Sequence, residues 1–261
     1  MKFVDVHIHL SDSEYYGKIP EIVENAKQTN VVAMVSNSMN LETSRASLRL
    51  AEEHVGLVYA ALGIHPWNTS QLASNELERT IDFVLQNGVS NEKVVAIGEV
   101  GLDPQYAKRK EQKELQAKVF HEMLRLAEKL TLPVIVHSRW STQKILNMLS
   151  SYHLRTVLWH WFSSPTELLP KIVERGDYVS EGPPTVFSTG IQEVVRLVPL
   201  ESLLTETDGP VRYYGPFKDK LTTPAFMPEV VKAIGEIKGV KESEVAEQIY
   251  RNFVNFTQIG L

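Results

Sequence analysis

A (β/α)8 barrel, the TIM-barrel type of α/β fold, is the architecture the sequence predicts, on three observations. Short apolar, β-branched runs recur through the chain and alternate with amphipathic stretches. Parallel strands covered on both faces read as such continuous runs, and strand alternating with helix indicates βαβ units. The length of 261 residues is close to the ~250 usual for an eight-fold barrel. Six residues able to bind metal stand at the ends of these runs, and barrel enzymes carry their functional groups at the carboxyl ends of strands.

The first run, 3–9, alternates Val4, Val6 and Ile8 with Asp5, His7 and His9, so the polar set shares one strand face. Its apolar face would meet the surrounding helices while the histidines point into the barrel mouth. Runs at 31–36 and 57–62 follow, and 94–98 leads into Glu99. Residues 109–130 place Leu115, Val119, Met123, Leu126 and Leu130 at helical spacing among Lys and Glu. Runs 133–137 and 155–160 end on His137 and His160. The seventh, 177–180, is very short and meets Gly182-Pro183-Pro184, and the eighth, 203–207, leads to Asp208. A final helix is expected over 241–259. Polar stretches at 10–18, 65–75, 103–111 and 209–224 follow strands, where barrel enzymes keep their substrate loops. No linker, low-complexity tract or change of composition interrupts the chain, so 1–261 is expected to be a single barrel domain.

Apolar residues make up 43%, ample for a core, and 27 Lys and Arg against 32 Asp and Glu give a formal charge of −5. That balance argues against a broad basic surface for long duplex DNA. Two bound divalent cations would offset four of those charges inside the site, leaving short or terminal phosphate substrates admissible. The absence of cysteine excludes disulfides, thiolate zinc sites and a cysteine nucleophile. The amino terminus turns polar too soon for a signal peptide, and no apolar run approaches the ~18 residues of a membrane span. A soluble cytoplasmic protein without an obligate protein partner is expected.

Four imidazoles (His7, His9, His137, His160) and two carboxylates (Glu99, Asp208) converging on one rim make a divalent-metal site the leading reading. A His-x-His pair alone could be an ordinary polar strand end; four further candidates at equivalent places favour metal. Glu99, between Gly98 and Val100-Gly101, has two oxygens and little crowding, so it could bridge two ions. Asp208, before Gly209-Pro210, could ligate a metal and take a proton from its water as general base, the structural alternative being a turn or helix-cap Asp. His65, after the third strand, would face the substrate without being a ligand. Arg139 could hold a phosphate oxygen with its planar fork or form a structural salt bridge. His54, His121 and His153 fall in or beside helical segments and read as surface residues.

Taken together the segments resemble the TatD family of metal-dependent hydrolases, a branch of the amidohydrolase-like barrels. The resemblance runs over essentially the whole chain. It rests on Asp5-Val6-His7-Ile8-His9, Gly63-Ile64-His65-Pro66, Gly98-Glu99-Val100-Gly101-Leu102-Asp103, the run from Leu132 to Arg139, His160-Trp161-Phe162-Ser163 and Glu206-Thr207-Asp208-Gly209-Pro210. It implies that His7, His9, Glu99 and Asp208 bind a first divalent metal and that Glu99, His137 and His160 bind a second. The metals would be Zn, Mn or Mg. It further implies hydrolysis of DNA, commonly removal of nucleotides from a 3′ end, with short or single-stranded DNA as substrate. Ser164, Met123, Glu181-Gly182-Pro183-Pro184 and Leu221-Thr222-Thr223-Pro224 depart from the family pattern without touching a proposed ligand.

The leading reading is therefore a metal-dependent phosphodiesterase in which metal-activated water attacks phosphorus in line. A hydrolase of carbon centres, a lactonase or cyclic amidase, is the first alternative. Related barrels of that kind often bridge their metals with a modified lysine, whereas Glu99 occupies that place here. A catalytically silent nucleic-acid or partner-binding barrel is the second.

Overall fold

The computed structural model describes residues 1–73, 75–89 and 91–260. Among these, eight parallel strands form one sheet in sequential order. The chain runs β1 (Phe3–Ile8), α1 (Ile19–Gln28), β2 (Val31–Asn37), α2 (Leu41–Glu53), β3 (Val58–Leu62), α3 (Pro66–Thr69), α4 (Glu76–Gly88) and β4 (Val94–Gly101). It continues through α5 (Lys110–Leu130), β5 (Val134–His137), α6 (Thr142–Leu149), β6 (Val157–Trp159), α7 (Leu169–Glu174) and β7 (Tyr178–Glu181). The last elements are α8 (Thr189–Leu197), β8 (Leu203–Thr205), α9 (Met227–Lys238) and α10 (Glu242–Thr257). This is the expected (β/α)8 barrel. Among the described residues no helix is long and apolar enough to cross a membrane.

Sequential order alone would leave an open sheet; the seam between β8 and β1 closes it. Thr205 Oγ1 donates to the Val4 carbonyl at 2.8 Å, and the Asp208 N–H donates to the His7 carbonyl at 2.8 Å. Asp5 ties the same seam, accepting from the Thr207 N–H at 3.0 Å and the His7 N–H at 3.2 Å. Burial pushes the Asp5 carboxyl up to about 8 even though the bonds from Thr207 and His7 oppose the rise.

The strands are buried throughout because both faces are covered: side chains fill the interior, and α1, α2, α5, α9 and α10 pack outside. β4 is longer than its apolar run, so Glu99 lies within a strand and not just beyond it. Two glycines make this possible. A Cβ on Gly98 would fall 2.8 Å from the Ile135 Cβ, and one on Gly101 (φ +149°) would fall 2.0 Å from the His137 carbonyl oxygen. Only glycine lets β4 lie this close to β5, and the close approach presents Glu99 to His137.

Candidate metal centre

The six predicted side chains meet at the carboxyl ends of the strands. His7 and His9 arrive from β1, Glu99 from β4, His137 from β5, His160 just beyond β6 and Asp208 just beyond β8. Asp208 is held in the left-handed region (φ +49°), a conformation in which Asp is enriched among non-glycine residues. The centre is almost closed to solvent: His7 is fully buried, and Glu99, His160 and Asp208 are buried too.

The donor atoms form two groups that share Glu99. In the first, His7 Nε2 lies 3.3 Å from His9 Nε2 and 3.3 Å from Glu99 Oε2. His9 Nε2 is 3.3 Å from the same oxygen. Asp208 Oδ1 is 3.4 Å from His7 Nε2 and 3.5 Å from His9 Nε2. Four ligands placed tetrahedrally ~2.0–2.1 Å from an ion are separated by about 3.3–3.4 Å. Five edges of such a tetrahedron are present, so the donor set fits a small divalent cation. In the second group, Glu99 Oε1 faces His137 Nδ1 at 2.8 Å and His160 Nε2 at 3.0 Å. Glu99 thus turns one oxygen to each group.

A fifth imidazole, His65, also stands close, with Nε2 3.2 Å from Glu99 Oε1 and 3.4 Å from His137 Nδ1. Proximity would make it a ligand, but its tautomer argues otherwise. His65 caps α3, and its Nδ1 accepts the Trp67 backbone N–H at 3.0 Å. A neutral ring accepting at Nδ1 carries its proton on Nε2, which then donates and cannot bind a metal. Burial lowers the His65 pKa, against the pull of Glu99.

The other rings are set the opposite way. His9 Nδ1 faces the Asn37 carbonyl at 3.1 Å, His137 Nε2 faces Asp103 Oδ2 at 2.8 Å, and His160 Nδ1 faces Glu206 Oε1 at 3.2 Å. Each acceptor takes a proton at the far nitrogen and leaves a lone pair aimed at the centre. His7 stacks on His160, ring centres 3.9 Å apart, and its buried Nδ1 has no partner among the described residues.

Electrostatics follow from packing so many titratable groups out of water. Burial opposes ionisation of Glu99, but His65, His160 and His7 outweigh it and hold the carboxyl well below its usual range. Asp208 is lowered in the same way, against burial, chiefly by its bond to His9. Burial takes the His7 pKa down to about 3. His9 is pushed up to about 10, because Asp208 and Glu99 override its burial. Asp103 is held at about 2, its burial outweighed by the bonds from His137 and Arg139.

Two supporting acids, Asp103 and Glu206, were not singled out in the sequence although both lie inside its quoted motifs. Glu206 also receives the Ser180 hydroxyl, and Gln116 of α5 fixes the Asp103 loop, its Oε1 accepting the Asp103 N–H at 3.1 Å. Arg139 forms the salt bridge weighed for it, with Nε and Nη2 2.8 and 2.6 Å from Asp103 Oδ2. His121 is half-buried on α5, where its Nδ1 meets the Tyr152 hydroxyl at 2.6 Å. The departing Glu181 is fully buried with both carboxyl oxygens unpartnered among the described residues, and burial pushes its pKa well up.

Above the centre opens a cavity of about 590 Å³, lined by His65, Trp67, Tyr106, Arg139, Trp161 and Arg212 among others. A family model described as TatD related DNase matches residues 4–258. The chain is 31% identical over 246 residues to YabD of Bacillus subtilis, an uncharacterized metal-dependent hydrolase, covering 93% of each. It is 32% identical over 259 residues to human deoxyribonuclease TATDN3, covering 95% of this chain and 92% of that protein. The crystal structure of the TatD homolog YjjV from Escherichia coli superposes with a TM-score of 0.88 at 27% identity, over 99% of this chain and 98% of YjjV. The chain belongs to the TatD family of metal-dependent hydrolases.

Proposed function

We propose that the protein is a deoxyribonuclease that removes nucleotides from the 3′ end of short or single-stranded DNA with two divalent ions, Zn, Mn or Mg, in place. His7, His9, Glu99 and Asp208 would hold the first ion, and Glu99, His137 and His160 the second. The observation that carries the reading is the position of Glu99, whose two oxygens face two separate donor groups. A bridging glutamate, with no lysine there, also favours phosphodiesters over the carbon-centre substrates of lactonases and cyclic amidases. The deoxyribonuclease name of human TATDN3 supports the same substrate class.

Bound there, the ions would act as Lewis acids and bring the pKa of water from 15.7 towards ~7. Asp208 would accept the proton of the attacking water, its lowered pKa keeping it ionised and ready. His65, with a proton on Nε2, would donate to a non-bridging phosphate oxygen. Asp103 and Glu206 would keep His137 and His160 in the ligating tautomer.

The assay is release of nucleotides from a 5′-labelled single-stranded oligonucleotide by protein loaded with Mn or Zn, beside a panel of lactones. Faster cleavage of the oligonucleotide is expected, and faster opening of a lactone would overturn the reading. His65→Ala should lower kcat/KM on DNA about 10–100-fold, matching loss of a hydrogen bond to a charged group. Both ions should remain in that variant, and their loss would make His65 a ligand.

A further inference from the structure

One nitrogen of the metal centre lacks a partner that its chemistry requires. His7 turns Nε2 to Glu99 and Asp208, as a ligand would, so a neutral ring carries its proton on Nδ1. That nitrogen is then a donor, and it is buried with no acceptor among the described residues. His9, His137 and His160 each have a carbonyl or carboxylate oxygen at the corresponding nitrogen. A metal-ligating histidine almost always donates its second N–H, because that bond fixes the tautomer and the ring's orientation. His7 is the exception, although it is the most deeply buried of the four.

Glu206 stands beside it. One nitrogen of His7, one of His160 and one carboxylate oxygen of Glu206 lie within 4.8 Å of one another, all three residues being buried. The His7 and His160 rings are stacked, with planes within 7°. Both turn Nε2 to Glu99, so their second nitrogens are the atoms left for Glu206. His160 Nδ1 already lies 3.2 Å from Glu206 Oε1, and the Ser180 hydroxyl donates to Oε2. A carboxylate has about four lone-pair sites, so these two donors leave room for a third.

The same three side chains are also a donor set for a further cation, but the chemistry is against it. An ion there would require His7 and His160 to bind metal through both nitrogens at once, stripping each ring of its last proton. One carboxylate that serves two N–H donors needs no such step. Asn37 Oδ1 is a rival acceptor, also buried and unpartnered. Its amide is tied to the Val6 and Val35 carbonyls, and its oxygen lies toward Gly98.

We propose that Glu206 is a positioning residue for both ions, accepting the Nδ1–H of His7 as well as that of His160. The two ions are then tied twice. Glu99 joins them directly at the cavity wall, and Glu206, which does not line the cavity, joins them through their histidines. Asp103, by contrast, serves His137 and therefore the second ion alone. The inference rests on the two-ion reading of the centre, and the test separates the two.

The test reads each ion position by itself, from anomalous scattering of crystals equilibrated over a series of buffered zinc concentrations. Glu206→Gln offers one neutral oxygen, which cannot accept from both rings, and an NH2 that opposes a ring N–H. It should raise the zinc concentration for half-occupancy about 10–100-fold at both positions, the usual effect of losing such a partner. Asp103→Asn should do so at the second position only. A Glu206→Gln protein weakened at the His160 position alone would refute the shared role. Crystals of the parent protein give a measurement that depends on no variant. At full zinc occupancy His7 Nδ1 should lie about 2.7–3.2 Å from a Glu206 oxygen. Two filled positions with His7 Nδ1 against Asn37, Glu181 or water would remove this inference and leave the two-ion reading. A parent that never fills the second position would remove both.

Discussion

Replacing Glu99 with Gln is expected to empty both ion positions and to lower turnover by at least about 10⁴-fold. Glu99 is the one side chain shared by the two donor groups, and its charge balances the imidazoles around it. An amide supplies one neutral oxygen, and its NH2 would confront a ring lone pair. Ions used as Lewis acids contribute several kcal/mol of transition-state stabilisation, and 10⁴-fold corresponds to about 5.4 kcal/mol. The fold should survive, because Gln matches Glu in size and its amide can hydrogen-bond to the imidazoles that surround it. Metal analysis beside a thermal melt checks this. A Glu99→Gln protein that melts like the parent yet keeps two ions and turnover within tenfold would show that Glu99 does not bridge.

Asp208→Asn is expected to reduce kcat about 10²–10⁴-fold, the usual contribution of a general base. Asparagine is the appropriate substitution because Asn, like Asp, tolerates the left-handed backbone at φ +49°. The amide oxygen can still occupy the ligand position, so metal content should fall less than in Glu99→Gln. The lost function is the carboxylate's capacity to take a proton. Single-turnover measurements with saturating oligonucleotide separate the chemical step from binding. A kcat within a few-fold of the parent would place the base elsewhere.

Much of this centre could be read from the chain because the barrel maps sequence onto space simply. A β-branched run ending in His or Asp puts that residue at the carboxyl rim whatever the distance along the chain, as His7 and Asp208 show. Alternation in β1 assigned His7 and His9 to one face. Less legible were features that depend on atoms and not on residue types. Asp103 and Glu206 act on histidines 34 and 46 residues away, and nothing in a loop acid announces such a partner. The two glycines around Glu99 suggested room for a carboxylate, but their need came from the proximity of β5. Arg139 offered both a clamp and a salt bridge by composition; only the position of Asp103 decides which bonds it makes. The proton on His65 Nε2 is set by the N-terminus of α3, since a backbone N–H occupies the other nitrogen.

The most direct test of two ions bridged by Glu99 is anomalous X-ray scattering from crystals grown with zinc, recorded on both sides of its absorption edge. Two peaks are predicted. One should lie ~2.0–2.2 Å from His7 Nε2, His9 Nε2, Glu99 Oε2 and Asp208 Oδ1, the other at the same range from Glu99 Oε1, His137 Nδ1 and His160 Nε2. Neither should lie within bonding distance of His65 Nε2. A single peak at saturating zinc, or one bonded to His65 in place of His160, would contradict the account.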